Sequence, residues 1–288
     1  MQETFLTTFA YAKINLALAI RGTREDGYHE LQSVMQSIDL HDIVRVRRYG
    51  KDVVCRCGAL SGTGNLAHKA AVLFLEHCGL SEGIEIEIQK NIPVQAGLAG
   101  GSTDAAATLR ILNQLYEKPL DRRALLDLAE RCGADVAFCI QGGTMWATGR
   151  GEKLEFLPPA PEMDVVLVKP LGGVNTSDAY RRFDLLGQGG SLTRTDWEKA
   201  LSQASKPQIV ELFYNDLEPA SIQIVPQILE LKQLLLQEGC YGSLMSGSGS
   251  CVFGIAHGKE HALEVKDRLR KKGFNNVWVT STVTRIEE

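Results

Sequence analysis

The stretch "IPVQAGLAGGSTDAAATL" (Ile92–Leu109) decides how this chain is interpreted. It places three glycines within five positions, follows them with Ser-Thr-Asp, and continues into an alanine-rich run typical of a helix. The residues just before it, Ile84–Gln89, alternate between apolar and polar side chains, which predicts a half-buried strand. Backbone N–H groups of a glycine-rich loop at a helix N-terminus are well suited to bind phosphate. The stretch therefore predicts an anion-binding loop.

Neither familiar phosphate-binding signature fits this loop. A P-loop requires G-x-x-x-x-G-K-[ST], but the residue five positions after Gly97 is Ser102, and no lysine lies between Asn91 and Arg110. The dinucleotide fingerprint G-x-G-x-x-G also fails, because the glycines lie at positions 97, 100 and 101. The loop thus lacks the cation that a P-loop carries within its own motif.

The individual residues of the loop nevertheless suit an anion. Gly97, Gly100 and Gly101 allow close approach of the backbone and positive φ angles where these are needed. Ser102 is placed to cap the helix or to donate its hydroxyl to a phosphate. The alternative is a tight turn with a serine cap and no ligand. Asp104 suits the helix dipole, but it would repel a polyphosphate unless it points away or faces a cation.

Composition limits the class of protein. The chain has 288 residues, 44% of them hydrophobic, and a formal net charge of −4, which argues against a dedicated nucleic-acid binder. No apolar run approaches the roughly 20 residues that span a bilayer, so no membrane partner is expected. The first residues do not resemble a signal peptide, and the seven cysteines are scattered, so we expect a cytoplasmic protein with reduced thiols. The sequence does not indicate an oligomeric state.

Helical and strand periodicities alternate along the chain and predict a mixed α and β protein. Three prolines in four positions within "LPPAPE" (Leu157–Glu162) mark a boundary between two domains, residues 1–158 and 159–288. The predicted elements that bear on the site are a strand over Tyr11–Ile20, a helix from an Asn65 cap to a Gly79 stop, helices over Ser102–Tyr116 and Asp121–Cys132, and a helix over Ile222–Gln237.

Two polar pairs interrupt otherwise apolar or turn-like segments near the N-terminus. Lys13 and Asn15 project from one face of the first strand, either as a solvated face with an extended lysine or as groups that line a cleft. "DGYHEL" (Asp26–Leu31) contains Tyr28 and His29, which form either a hairpin turn or a surface that stacks on a flat heterocycle.

Two further segments carry alternatives of the same kind. Asp135 in "CGADVAF" begins an apolar run, where it is either a helix N-cap or a carboxylate that accepts a hydroxyl proton, as in kinases. "SGSGS" (Ser246–Ser250) is either a flexible turn or a second loop that closes over the ligand of the first.

Taken in order, several segments resemble one known family. They are "AYAKINLAL", "REDGYHELQSVMQSIDL", "GNLAHKAA", the glycine-rich loop, "GADVAF", "NDLE" and "LMSGSGSCVFG", and they extend from residue 10 to residue 254. The loop resembles the motif of the GHMP kinases, the superfamily of galactokinase and of the homoserine, mevalonate and phosphomevalonate kinases. "AKINL" with "DGYHEL" is similar to those members that phosphorylate 4-diphosphocytidyl-2-C-methyl-D-erythritol.

The resemblance implies an α+β fold of two lobes with the active site in the cleft between them. The N-terminal lobe would be like ribosomal protein S5 domain 2, and the C-terminal lobe would be ferredoxin-like. The implied activity is ATP-dependent phosphorylation of the substrate's 2-hydroxyl in non-mevalonate isoprenoid precursor synthesis, with Mg²⁺ as the metal.

The resemblance also assigns residues. Lys13 and Asp135 match the catalytic pair, and the substrate would be held by Asn15, Tyr28, His29, Thr176 and Tyr180, with the two tyrosines enclosing the cytosine ring. The ATP-binding residues would be Asn65, Leu66, Pro93, Val94, Gln95, Ala96, Gly97, Leu98, Ala99, Gly100, Gly101, Ser102 and Thr103. No acidic Mg²⁺ ligand is evident, so the ion would be held by the ATP phosphates and the hydroxyl of Ser102. Mg²⁺ and Lys13 would then supply the positive charge that the loop lacks.

The sequence departs from the family motif at a few positions, and other functions have to be weighed against the implied one. Ala96, Ala99 and Thr103 depart from the commonest form of the motif, although an alanine side chain can point away from the ligand. A different kinase of the superfamily, acting on mevalonate or homoserine, would lack the pair of tyrosines. A non-catalytic sensor would be expected to lack Asp135 or Lys13. A dinucleotide-dependent oxidoreductase is excluded by the glycine spacing.

Overall fold

A computed structural model gives the fold and describes residues 4–187 and 189–284. Within these ranges there are two β-sheets, one of seven strands and one of four, with helices packed on them. The strands are β1 (Leu6–Thr23), β2 (His29–Arg48), β3 (Val53–Arg56), β4 (Ile84–Gln89), β5 (Thr144–Gly149), β6 (Lys153–Phe156), β7 (Asp164–Val168), β8 (Tyr214–Asn215), β9 (Ser243–Met245), β10 (Val252–Ile255) and β11 (Val277–Ser281). The α-helices are α1 (Leu66–Cys78), α2 (Gly100–Leu115), α3 (Arg122–Cys132), α4 (Val136–Gln141), α5 (Thr176–Leu186), α6 (Arg194–Ser202), α7 (Lys206–Glu211), α8 (Glu218–Ile224), α9 (Gln227–Gln237) and α10 (Lys259–Lys271).

The first sheet is built on two long antiparallel strands, β1 and β2. Its strand order is β3-β4-β2-β1-β8, and β5 and β6 extend it from the other half of β2. Register shifts interrupt the β1–β2 pairing between Tyr11 and Lys13 and again between Asn15 and Ala17. Such bulges re-aim side chains locally, and here they flank the two polar residues of the strand.

The second sheet is antiparallel, in the order β11-β7-β10-β9. Because side chains alternate along a strand, β7 contributes to two apolar clusters. Val165 and Leu167 pack in one cluster with Ile14 and Leu98 from the first half of the chain. Val166 belongs to the other cluster, with residues of α9 and α10. The core therefore continues from one sheet to the other.

Local capping signals place the first helices correctly. The predicted strand over Tyr11–Ile20 lies within β1, and α1 begins after Asn65, whose side chain accepts a hydrogen bond from the N–H of Ala67. It ends at Gly79, which adopts the left-handed conformation typical of a helix C-terminus. The predicted α2 and α3 are also confirmed, although α2 begins two residues before Ser102.

The prediction of one helix over Ile222–Gln237 is wrong. The segment forms α8 and α9, which are separated at Val225 and Pro226. Proline has no N–H to donate to a preceding carbonyl, and its ring disfavours the helical conformation of the residue before it. Val225 accordingly has φ −131° and ψ 87°, outside the helical region. The apolar periodicity continues across this break and conceals it.

The change from the first sheet to the second falls between Phe156 and Asp164, beside the proline-rich segment. The chain later returns, because β8 pairs in parallel with β1. The assignment of residues 1–158 and 159–288 to two domains thus stays a prediction. Among the residues that the structure describes, none of the helices has the length and apolarity that a membrane span requires.

Candidate active site

A cavity of about 1520 Å³ opens between the glycine-rich loop, β1 and α5. It brings together segments that are far apart in the chain, including the start of α2, the residues before α4 and the loop that follows β9. The predicted site residues that line it are Lys13, Asn15, Tyr28, His29, Asn65, Leu66, Pro93, Val94, Gln95, Ala96, Gly97, Leu98, Ala99, Gly100, Gly101, Ser102, Asp135, Thr176 and Tyr180.

Thr103 is the predicted residue that does not line the cavity. Its side chain is buried, and its hydroxyl donates a hydrogen bond to the carbonyl oxygen of Tyr11, at 2.6 Å. Asn65 lines the cavity, but its amide is already used for structure. It caps α1 and donates to the carbonyl oxygen of Leu60, at 3.0 Å. These two side chains hold the walls of the site together.

The glycine-rich loop reaches its shape in a way that its sequence does not suggest. Positive φ angles occur at Gln95 (53°), Gly97 (72°) and Ala99 (57°), while Gly100 begins α2. Ser102 is therefore the third residue of the helix, so of its two alternative roles the helix cap is excluded; Ala99 occupies the cap position without a side-chain hydrogen bond. The N–H groups of the first turn of α2 have no intrahelical acceptor, as in any α-helix, and they lie at the cavity wall.

The "SGSGS" loop supports the glycine-rich loop through hydrogen bonds to its carbonyl oxygens. The hydroxyl of Ser246 donates to Gly97 at 3.0 Å. The N–H of Ser250 donates to Gln95 at 3.3 Å, and the next residue's N–H donates to Ala96 at 3.2 Å. These bonds engage three carbonyl oxygens of the glycine-rich loop and hold the two loops together. The N–H groups of such a loop at a helix N-terminus are suited to an anion.

Lys13 and Asp135 form a pair in the floor of the cavity. The ammonium of Lys13 lies 3.6 Å from Oδ2 of Asp135, and it donates a hydrogen bond to Oδ1 of Asn15 at 2.6 Å. Asn15 is held in turn by its bond to the hydroxyl of Ser33, at 2.8 Å. The Lys13 side chain is 5% exposed and that of Asp135 is 30% exposed, so the carboxylate is the accessible member.

Neither the alternative of a solvated Lys13 nor that of a helix-capping Asp135 describes the structure. Lys13 is buried rather than extended into solvent. Asp135 stands at the N-cap position of α4, but its side chain makes no capping hydrogen bond. A carboxylate that is accessible, next to an ammonium and free of a capping bond is available to a ligand in the cavity.

The far end of the cavity is aromatic. His29 stacks on Tyr180 with ring centroids 4.8 Å apart and an interplanar angle of 25°, and its Nε2 lies 2.7 Å from Oδ1 of Asp184. Tyr28 is exposed and lies under the guanidinium of Arg150, 4.9 Å from the ring centroid. Burial raises the pKa of Tyr180, so its phenol stays neutral. Thr176 is one turn away on α5, and its hydroxyl lies 3.0 Å from that of Ser248.

Known proteins with similar sequences identify the family of this chain. The family described as GHMP kinases N terminal domain matches residues 65–143, and the family described as GHMP kinases C terminal matches residues 197–275. A 4-diphosphocytidyl-2-C-methyl-D-erythritol kinase from Desulfitobacterium hafniense (strain Y51) is 52% identical over 278 residues, which cover 96% of each chain. The chain belongs to the 4-diphosphocytidyl-2-C-methyl-D-erythritol kinase family. It is thus an ATP-dependent small-molecule kinase with the two-lobe GHMP fold.

Solved structures agree with this family assignment. A crystal structure of 4-(cytidine 5'-diphospho)-2C-methyl-D-erythritol kinase is 35% identical and superposes with a TM-score of 0.84, covering 96% of this chain and 99% of that one. The homoserine kinase from Cytophaga hutchinsonii superposes with a TM-score of 0.76 over 99% of this chain and 96% of that one. At 21% identity this second similarity concerns the fold alone. The predicted GHMP kinase fold is confirmed.

The kinase carries a lysine beside its glycine-rich loop that the sequence pattern did not reveal. Lys90 lies just before Asn91, outside the stretch in which a P-loop lysine would stand, and its ammonium pairs with Asp42 and with Asp104, the latter at 2.7 Å. A Cβ added to Gly100 would lie 3.2 Å from this ammonium, so the charge stands against the start of α2. Asp104 therefore faces a cation, one of the two conditions under which it can coexist with a polyphosphate.

Asp104 is nevertheless in an unfavourable place for a charge. Its Oδ1 is buried without a hydrogen-bond partner among the described residues, and Asp42 is a second carboxylate beside it. Burial raises the pKa of Asp104 to about 8, although the ammonium of Lys90 opposes the shift. The three side chains come from three different elements, so no local pattern could have revealed the cluster.

Asp104→Asn is expected to stabilise the kinase at alkaline pH. In the unfolded chain Asp104 ionises near its ordinary pKa of 3.8, so the folded protein loses stability relative to the variant as the pH rises from about 4 to about 8. We expect the melting temperature of the variant to exceed that of the wild type by about 2 °C or more at pH 8, the shift that roughly 1 kcal/mol produces. The measurement is thermal unfolding at pH 5, 7 and 8.

Asp127→Asn is the matched control, because Asp127 is an exposed carboxylate on α3 and should show no such pH-dependent gain. If Asp104→Asn proved less stable than the wild type at pH 8, the pairing of Asp104 with Lys90 would outweigh the cost of its burial.

Proposed function

We propose that this kinase transfers the γ-phosphoryl group of ATP to the 2-hydroxyl of 4-diphosphocytidyl-2-C-methyl-D-erythritol. The observation that carries the proposal is the Lys13–Asp135 pair, which lies in one cavity between a phosphate-binding loop and an aromatic end. The substrate's chemistry matches this order: a hydroxyl acceptor belongs at Asp135, and a cytosine ring belongs with aromatic side chains. The similar kinases described above are named for the same substrate, which supports the proposal.

Asp135 acts on the acceptor in this proposal. Its carboxylate accepts a hydrogen bond from the 2-hydroxyl and takes the proton as the oxygen attacks phosphorus. Lys13 places its positive charge 3.6 Å from the carboxylate, and it offsets negative charge that develops on the transferring group. Asn15 accepts a hydrogen bond from the ammonium at 2.6 Å and so holds it in place.

ATP occupies the other end of the cavity. The backbone of residues 93–101 and the first turn of α2 surround the phosphates, and Leu66 and Asn65 lie toward the adenine. Lys90 adds positive charge beside Gly100. Thr103 does not contact ATP in this proposal. Its hydroxyl donates a hydrogen bond to the carbonyl oxygen of Tyr11 and so anchors the start of α2 to β1.

Mg²⁺ fits this site as an ion held mainly by the nucleotide. Among the described residues no group of three or more His, Cys, Asp or Glu side chains could hold a metal. The hydroxyl of Ser102 faces the cavity, and Mg²⁺ commonly binds through substrate phosphates, waters and few protein ligands. Ser102 would be its protein ligand, and the bound ion would neutralise charge on the β- and γ-phosphates.

The cytidine end is held by the aromatic residues. If Nε2 of His29 donates its proton to Asp184 at 2.7 Å, Nδ1 is an acceptor for the amino group of cytosine. Tyr28 and Tyr180 offer the ring faces between which the base is enclosed, and Thr176 lies at the start of the same helix as Tyr180. Since Tyr28 is exposed, its ring is free to close over the base.

The test is acceptor-dependent ADP release by the purified enzyme. We expect turnover with ATP, Mg²⁺ and 4-diphosphocytidyl-2-C-methyl-D-erythritol, and none above background with mevalonate or homoserine. Turnover with mevalonate and none with the cytidylated substrate would overturn the assignment. Nucleotide binding without turnover on any acceptor would instead favour a non-catalytic sensor.

A further inference from the structure

The "NDLE" turn (Asn215–Glu218) has no part in the proposed chemistry, yet three of its four side chains are polar and buried. Asn215 and Asp216 are each 7% exposed, and Glu218 is 8% exposed. The turn connects β8, which lies beside β1, to α8. Buried polar groups normally have specific hydrogen-bond partners, and here those partners indicate what the turn holds.

Asn215 holds the start of the "SGSGS" loop. Its side-chain N–H groups donate to the carbonyl oxygens of Met245 at 2.8 Å and Gly247 at 2.9 Å, and its Oδ1 accepts from the N–H of Leu217 at 2.9 Å. Glu218 accepts a further bond from the N–H of Met245, also at 2.9 Å. The turn therefore fixes the backbone on both sides of Ser246.

Gly247 is the residue of this loop that lies against both the glycine-rich loop and Asn15. It has φ 56°, and an added Cβ would lie 3.1 Å from the carbonyl oxygen of Gly97 and 3.3 Å from Oδ1 of Asn15. That same Oδ1 accepts the hydrogen bond from the ammonium of Lys13. Gly247 thus fills the space between the phosphate loop and the Asn15–Lys13 pair.

We propose that Asn215 is a positioning residue for phosphoryl transfer. Its amide fixes Gly247, and Gly247 in turn sets the spacing between the phosphate loop at Gly97 and the Asn15–Lys13 pair. The inference rests on the proposed function, because it assumes that phosphate and acceptor meet between these groups. Misplacement of reacting groups by about 1 Å is enough to cost roughly 100-fold in rate.

The test variant is Asn215→Asp, which keeps the shape of the side chain and the oxygen that accepts from the N–H of Leu217. It replaces the two N–H donors with an oxygen, which then faces the carbonyl oxygens of Met245 and Gly247. We expect kcat to fall by about 10- to 100-fold, while the dissociation constant for ADP changes by less than about threefold. Asn215→Ser removes both bonds without adding a charge, and it replaces the aspartate variant if that one does not fold.

Asp216→Asn is the matched control. Asp216 is equally buried in the same turn, but it accepts hydrogen bonds from the N–H groups of Ile20 at 2.7 Å and Gly190 at 2.9 Å rather than from the "SGSGS" loop. We expect it to lower the melting temperature and to leave kcat per folded molecule unchanged. A merely structural role for Asn215 would give the same result at both positions, and that outcome would overturn the proposal.

Hydrogen exchange separates this proposal from the choice of substrate. Asn215→Asp should accelerate amide exchange in Ser246–Ser250 more than Asp216→Asn does, with or without ADP. Unchanged exchange in the Asn215 variant would overturn the positioning role. A wild-type protein that binds ADP but transfers no phosphoryl group would overturn the proposed function, and the exchange comparison would still decide whether Asn215 holds the loop.

Discussion

Asp135→Asn is expected to lower the turnover number by more than about 100-fold, the low end for removal of an acid–base group, while the protein keeps its fold. An amide in this position still accepts a hydrogen bond from the acceptor hydroxyl but cannot take its proton. It also leaves Lys13 without the carboxylate that lies 3.6 Å from its ammonium. The measurement is ADP release at saturating ATP and acceptor, together with thermal unfolding to confirm the fold.

Asp267→Asn provides the control for this substitution, since Asp267 is an exposed carboxylate on α10. It should retain wild-type turnover. Near-wild-type turnover in Asp135→Asn would remove Asp135 from its role as the base, and it would leave positioning and charge stabilisation as the sources of rate enhancement.

Gly97→Ala is expected to weaken nucleotide binding by at least about tenfold and to lower the melting temperature. Gly97 has φ 72°, and a Cβ added there would lie far inside van der Waals contact of the carbonyl oxygen of Ser246 and 3.1 Å from the N–H nitrogen of Gly249. The left-handed conformation costs a non-glycine residue roughly 1–2 kcal/mol. Because both clashing atoms are backbone, the two loops must move apart, which disturbs the N–H groups that would face the phosphates in the proposed function.

Calorimetric titration with ADP measures the affinity, and Gly258→Ala controls for the loss of a glycine. Gly258 has an extended φ of 179° and no heavy atom within 4 Å of an added Cβ, so its replacement should change neither affinity nor melting temperature. A Gly97→Ala variant that bound ADP as tightly as the wild type would contradict the proposed contact between the loop and the phosphates.

The parts of the fold that sequence predicted are those whose signals are local. The helix between the Asn65 cap and the Gly79 stop depends on residues at its own ends, and so does α3, which begins after its Asp121 cap. The break at Pro226 was missed because the apolar period of α8 continues into α9. A proline in an otherwise helical pattern was the signal available for finding it.

The shape of the glycine-rich loop could not be predicted from its glycines. Glycine is the usual residue at positive φ, yet Gln95 and Ala99 take that conformation here, while Gly100 and Gly101 are helical. Gly100 is small because Lys90 and Ile92 lie close to it: an added Cβ would be 3.2 Å from the lysine's Nζ and 3.1 Å from Cγ2 of Ile92. Such a requirement comes from tertiary packing and leaves no trace in the local pattern.

The candidate site itself was predicted from resemblance more than from pattern. Lys13, Asp135 and Tyr180 are separated by more than 40 residues at each step, and only the fold brings them to one cavity. Lys90 and Asp42 were missed for the same reason, since Asp42 lies within β2 and Lys90 directly follows β4, both far from Asp104 in the sequence. Segment order identified the family, whereas the pairing of individual charges required coordinates.

The most direct test of the central claim is ³¹P NMR of the reaction of the wild-type enzyme with ATP, Mg²⁺ and 4-diphosphocytidyl-2-C-methyl-D-erythritol. We predict that the γ-phosphate signal of ATP is lost as a phosphomonoester signal appears, and that the diphosphate bridge stays intact. The new signal should lack three-bond coupling to hydrogen, because the carbon of the 2-hydroxyl carries a methyl group and no hydrogen. Release of inorganic phosphate alone, or a phosphomonoester on another hydroxyl, would contradict the account.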